Sequence, residues 1–79
     1  MDSVETYRGF NIRMSIVEQA THWTCAVTFE REDGEASKAT PPAFEHTVSK
    51  IAAGALNLGV DLVRRAEAQI DGWYEKGNG

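Results

Sequence analysis

The spacing of the apolar residues changes once along this chain, from every second position to every third or fourth. That change limits the folds open to it. Between Tyr7 and Val17, Phe10, Ile12, Met14 and Ile16 alternate with Asn11, Arg13 and Ser15. Between Trp23 and Arg31, Trp23, Cys25, Val27 and Phe29 alternate with Thr24, Ala26, Thr28 and Glu30. A period of two with aromatic and β-branched content reads as a strand buried on one face. From Val48 onward Val48, Ala52, Ala55, Gly59, Val63, Ala66, Ile70 and Trp73 recur in steps of three and four. A second row, Ile51, Ala55, Leu58 and Leu62, runs beside them, and together they form the broad apolar face of a helix.

The short polar link Glu18–His22 makes an antiparallel hairpin the simplest pairing of the two strands. Residues 1–5 read as a frayed end. Asp33-Gly34 is a type I′ turn signal, and a short edge strand over 35–40 would follow it. Pro41-Pro42 ends that strand, because neither residue donates to a ladder. The helix then starts either at Pro41, capped by Thr40, or at Val48, capped by Thr47. A helix from Val48 to Tyr74 would be roughly 40 Å long, so it overhangs the sheet or bends at Gly54 and Gly59. The sequence thus predicts one α+β domain over 1–79. An antiparallel two- to three-stranded sheet (a β-hairpin plus a short edge strand) lies within 6–40, one long C-terminal helix within 41–76, and a disordered tail at 77–79. The core residues are Phe10, Ile12, Trp23, Val27, Phe29, Leu62 and Ile70.

Composition bears on stability and on partners. Leu, Ile, Val and Phe together number 16 of 79 residues, so the core is thin and a partner that adds buried surface would help it. The formal net charge is -4, which argues against direct nucleic-acid binding and against anionic membranes. The single cysteine, Cys25, cannot form an internal disulfide and suits a reducing compartment. The acidic start Met1-Asp2-Ser3-Val4-Glu5 reads as no signal peptide. The most apolar stretch, Ile51–Val63, is 13 residues, too short to span a bilayer. A cytoplasmic location follows.

Candidate chemistry is sparse. His22, Cys25 and His46 are the soft ligands, and His22 and Cys25 would point to opposite faces of one strand, so no metal site is expected. A Cys25–histidine nucleophile pair would place the thiol on the buried face, where its reactivity is low. The acidic run Glu30–Glu35 lacks the ligand spacing of a calcium loop and reads as a solvated turn. Arg64-Arg65 is neutralised by Asp61, Glu67 and Asp71 nearby on the helix. No cofactor motif is present, and no catalytic residue is assigned.

Tyr7-Arg8-Gly9-Phe10-Asn11-Ile12, the tryptophan at the head of the second strand and Ile70-Asp71-Gly72-Trp73 in the helix resemble a loose set of small bacterial proteins of uncharacterised role. These have a sheet followed by an Ala-rich helix. The resemblance implies a fold and no activity. The strand–strand–strand–helix order also looks partly like HicB-type antitoxins, although this chain lacks their separate DNA-binding segment. The expected function is therefore a small non-enzymatic protein-interaction module, its partner either another protein or a second copy in a homodimer. The alternative is a regulatory or antitoxin-like protein acting near nucleic acid through a partner. Ile70, Trp73 and Tyr74 are the expected interaction patch, because an overhanging helix end would leave its aromatics in water; the alternative folds Trp73 back onto the sheet edge beside Tyr7.

Overall fold

A computed structural model describes residues 2–35, 38–51 and 55–77. Four strands precede one helix: β1 (Asp2–Tyr7), β2 (Phe10–Glu18), β3 (His22–Arg31), β4 (Phe44–Ser49) and α1 (Ala55–Glu75). The strands form one antiparallel sheet in the order β1-β2-β3-β4, each beside its sequence neighbour. The architecture is α+β with four strands, not two or three.

The central strands follow their own alternation. Phe10, Ile12, Met14 and Ile16 of β2 are buried, as are Cys25 and Val27 of β3. Cross-strand pairing sets Met14 against Val27 and Ile16 against Cys25 on one face. The helix closes this face with Leu58, Leu62, Ala66 and Ile70, which recur every four residues and are nearly fully buried. Ala66 is small enough to let the helix backbone come close to the sheet. Trp23 and Phe29, expected in the core, are only half-buried and pack at its rim. They share the inner face but lie toward opposite ends of β3. Phe29 finds its neighbour in Phe44, with ring centroids 6.3 Å apart.

Both outer strands depart from the sequence reading. The supposed frayed end is β1, paired with β2 from Asp2↔Ser15 to Tyr7↔Phe10. Its residues are exposed except for half-buried Tyr7, so no alternating pattern marked it. Its hydrogen-bond ladder with β2 is what holds it. β4 occupies residues assigned to a helix over 41–76, so neither Thr40 nor Thr47 is a helix cap. Phe44, His46 and Val48 alternate inward there, opposite Val27, Cys25 and Trp23. The free edge of β3 offers a full row of backbone partners to this segment, and that outweighs a local helical reading of Thr47-Val48.

The turns change too. The type I′ pair is Arg8-Gly9, with φ of 48° and 89°, between Tyr7 and Phe10. At Asp33-Gly34 only Gly34 has positive φ, and the Asp33 carboxylate accepts the Glu35 N–H at 2.9 Å. That Asx turn begins a long connection to β4 instead of a tight hairpin. No strand occurs among the described residues of 35–40; Ala36 and Ser37 lie outside them.

The helix is 21 residues, roughly 31 Å long, and runs without interruption through Gly59. Gly54 lies outside the described residues. The helix does not overhang at its C-terminal end, where Trp73 and Tyr74 lie against Phe10 of the sheet. There Gly77, at φ 87°, donates its N–H to the Tyr74 carbonyl and stops the last turn. Of the tail, residues 78–79 lie outside the described part. Among the described residues, no helix is long and apolar enough to cross a membrane.

Candidate functional site

The helix C-terminus closes onto the β1–β2 turn. Trp73 meets Phe10 edge-on at 5.4 Å, and Tyr74 lies 6.0 Å from the same ring. The Tyr74 hydroxyl donates to the Arg8 carbonyl at 2.9 Å. The Arg8 guanidinium lies over the Tyr74 ring at 4.5 Å and donates to Asp71 at 2.7 Å. The Tyr7 hydroxyl donates to both Asp71 oxygens at 3.0 Å. Arg8 in the left-handed region costs about 1 kcal/mol or more, and these contacts hold it there. The Arg8 and Tyr7 donors lower the Asp71 pKa; the same carboxylate raises that of the Tyr7 hydroxyl. Of the expected patch, Ile70 has no exposed surface, while Trp73 and Tyr74 are half-buried against Phe10. These three side chains form a clasp within the chain.

The soft ligands separate. His22 lies on the outer sheet face, opposite Ser49, and Cys25 on the inner face directly opposite His46. Asp61 is close enough to act electrostatically on both Cys25 and His46. The order Cys, His, Asp resembles a nucleophile set, but its chemistry is opposed. Cys25 is fully buried, and burial, then the Asp61 charge, pushes its thiol pKa up. Asp61 gives its carboxylate to Arg65 at 2.7 Å, and that partner lowers its pKa. A thiol held protonated is a poor nucleophile and a poor metal ligand. Among the described residues, no three His, Cys, Asp or Glu side chains converge as a metal site.

The charged segments pair locally. Arg13 bonds Glu30 at 2.8 Å, and Arg31 bonds Asp33 at 3.0 Å, which lowers the Asp33 pKa. Lys50 bonds Glu18 at 2.7 Å and lies over the Trp23 ring. Arg65 is taken up by Asp61, and both members of the doublet are exposed.

A different region is open. The sheet has four strands about 4.8 Å apart, and one helix about 10 Å wide cannot cover them. It sits over β2 and β3. Beside it, a cleft of about 430 Å³ lies along β4, lined by Phe44, Glu45 and His46 from the strand and Arg65, Ala68 and Gln69 from the helix. Gln69 bridges the end of the cleft by donating to the Pro42 carbonyl at 3.3 Å. The outward edge of β4 adjoins this cleft. Sequence reasoning missed the region because it took 41–76 as helix; the alternation of Phe44, His46 and Val48 was the signal available. No protein-family model, curated protein or solved structure matches the chain.

Proposed function

We propose that this chain is a non-enzymatic protein-interaction module that takes an extended strand onto the free edge of β4. The observation that carries the reading is the unguarded state of that edge. β1, the other edge, bears two carboxylates, Asp2 and Glu5, against the single Glu45 of β4. Between Phe44 and Ser49 there is no lysine, arginine, proline or positive φ, the usual devices that stop an edge from pairing. Added strands gain main-chain hydrogen bonds, and alternate side chains enter a flanking pocket; the cleft beside Phe44 and His46 supplies one. A cytoplasmic setting keeps Cys25 reduced and suits such a module.

Action near nucleic acid through a partner is compatible with this edge, whereas direct binding is not favoured. All seven aromatic side chains belong to the helix or to the sheet face beneath it. The open sheet face therefore offers no stacking platform for bases.

The test is amide hydrogen exchange on the full chain, alone and with a purified protein captured from its native cell. Slower exchange over residues 44–49 in the complex is the expected result. Protection confined to the helix or to β1 would overturn the reading.

A further inference from the structure

We infer that the strand taken up by β4 is β4 of a second copy, paired antiparallel about a two-fold axis through His46. This rests on the strand-binding reading above and names its occupant. Three observations support it. The first is the pattern of the strand itself. In the order Phe44-Glu45-His46-Thr47-Val48, a two-fold at His46 sets Phe44 opposite Val48 of the copy and Glu45 opposite Thr47 of the copy. Directly opposed residues in an antiparallel pair share a face. Phe44, His46 and Val48 therefore meet their counterparts on the helix side, and Glu45 and Thr47 meet on the outer side. An aromatic–β-branched pair forms twice, and no carboxylate faces a carboxylate.

The second observation is where the acidic excess lies. Asp2 and Glu5 are on β1, and Glu32 and Glu35 flank the turn after β3, where Arg13 and Arg31 pair with Glu30 and Asp33. Along β4 and its cleft the charged groups are Glu45 and the Asp61–Arg65 pair, with Lys50 just beyond the strand. A chain of net charge -4 meets a copy of itself with least repulsion there. The third observation is the incomplete cover of the sheet. Phe44, His46 and Val48 are half-buried under one helix. The pairing places both helices on the same side of an eight-stranded sheet and brings the two clefts together over the seam.

Thr47 gives a test that spares the fold. It is exposed and faces Thr24 within its own chain, so a charge there meets no buried group. In the inferred pairing residue 47 lies opposite Glu45 of the copy. Sedimentation equilibrium of the full chain should show a reversible dimer. Thr47→Glu should weaken it roughly three- to tenfold and Thr47→Lys should tighten it by a similar factor, since each change acts at two symmetric pairs. Thermal melting of both variants in the dilute monomer range should match the parent, which separates association from folding. If both substitutions weaken the dimer, residue 47 faces itself and the His46 axis is wrong. If neither changes it, the interface lies elsewhere. A parent that stays monomeric at all concentrations removes the second copy as occupant. It leaves the strand-binding reading to the exchange experiment, which does not depend on self-association.

Discussion

Trp23 Nε1 is buried without a hydrogen-bond partner, the single such side-chain atom among the described residues. An orphaned donor costs about 1–3 kcal/mol. Trp23→Phe removes it and keeps a ring beneath Lys50. Denaturant melts should therefore find this variant as stable as the parent or about 1 kcal/mol more stable, against the loss a cavity would cause. Leu62 presents the opposite case. It is 1% exposed and apolar throughout, so Leu62→Ala should cost about 2–5 kcal/mol. Cys25 is buried and its thiol is held protonated. Its labelling by a thiol reagent should follow unfolding, slow in native protein and fast in denaturant.

At the scale of elements, the helix and the first turn make separate demands. Gly59 lies inside α1, and a Cβ built there meets nothing within 4 Å. Gly59→Ala should raise stability by about 0.5–1 kcal/mol, since it restricts the unfolded chain and adds no clash. Melting temperature checks it. The β1–β2 turn depends on Asp71, whose pKa is lowered by Arg8 and Tyr7. A depressed carboxylate contributes stability that is present above its unfolded pKa and is lost as pH falls through the folded value. The raised Tyr7 hydroxyl contributes below its unfolded pKa and is lost as pH rises through the folded one. Asp71→Asn should thus be less stable than the parent near pH 7, and the gap should close below about pH 4. A gap unchanged across that range would mean that the clasp is steric, not ionic.

For the whole molecule the dominant fact is a sheet wider than its cover. Among the described residues, ten form the buried apolar core, six of them on β2 and β3 and four on α1. β1 and β4 contribute none of the ten. Such a domain holds its edges by backbone ladders, and edges are where exchange and association begin. If β4 pairs with a second copy, the melting temperature should rise with protein concentration, as mass action requires for a dimer. Scans across a hundredfold range of concentration would show it.

The sequence by itself determined β2, β3 and the face each turns inward, and of α1 a broad apolar face whose buried row, Leu58, Leu62, Ala66 and Ile70, takes two residues from each of the two rows read from the spacing. Those elements bury one side, and burial imprints its period on the side chains. It also determined that Cys25 is enclosed, because Cys25 shares a face with Val27. The tertiary structure alone decided that Asp2–Tyr7 is a strand, and it decided for Phe44–Ser49 between a short alternation and a helical spacing that shared Val48. Each is held by hydrogen bonds to the strand beside it, β1 to β2 and β4 to β3, and a backbone ladder asks little of side-chain chemistry. It decided that Trp23 and Phe29 stop at the rim, since the width and position of a single helix set how far cover extends. It decided too that Trp73 and Tyr74 close on Phe10, because that contact needs the helix end and the Arg8-Gly9 turn to reach the same place. The candidate interface belongs to this second group: an edge exists only once a sheet has formed and one of its strands is left without a neighbour.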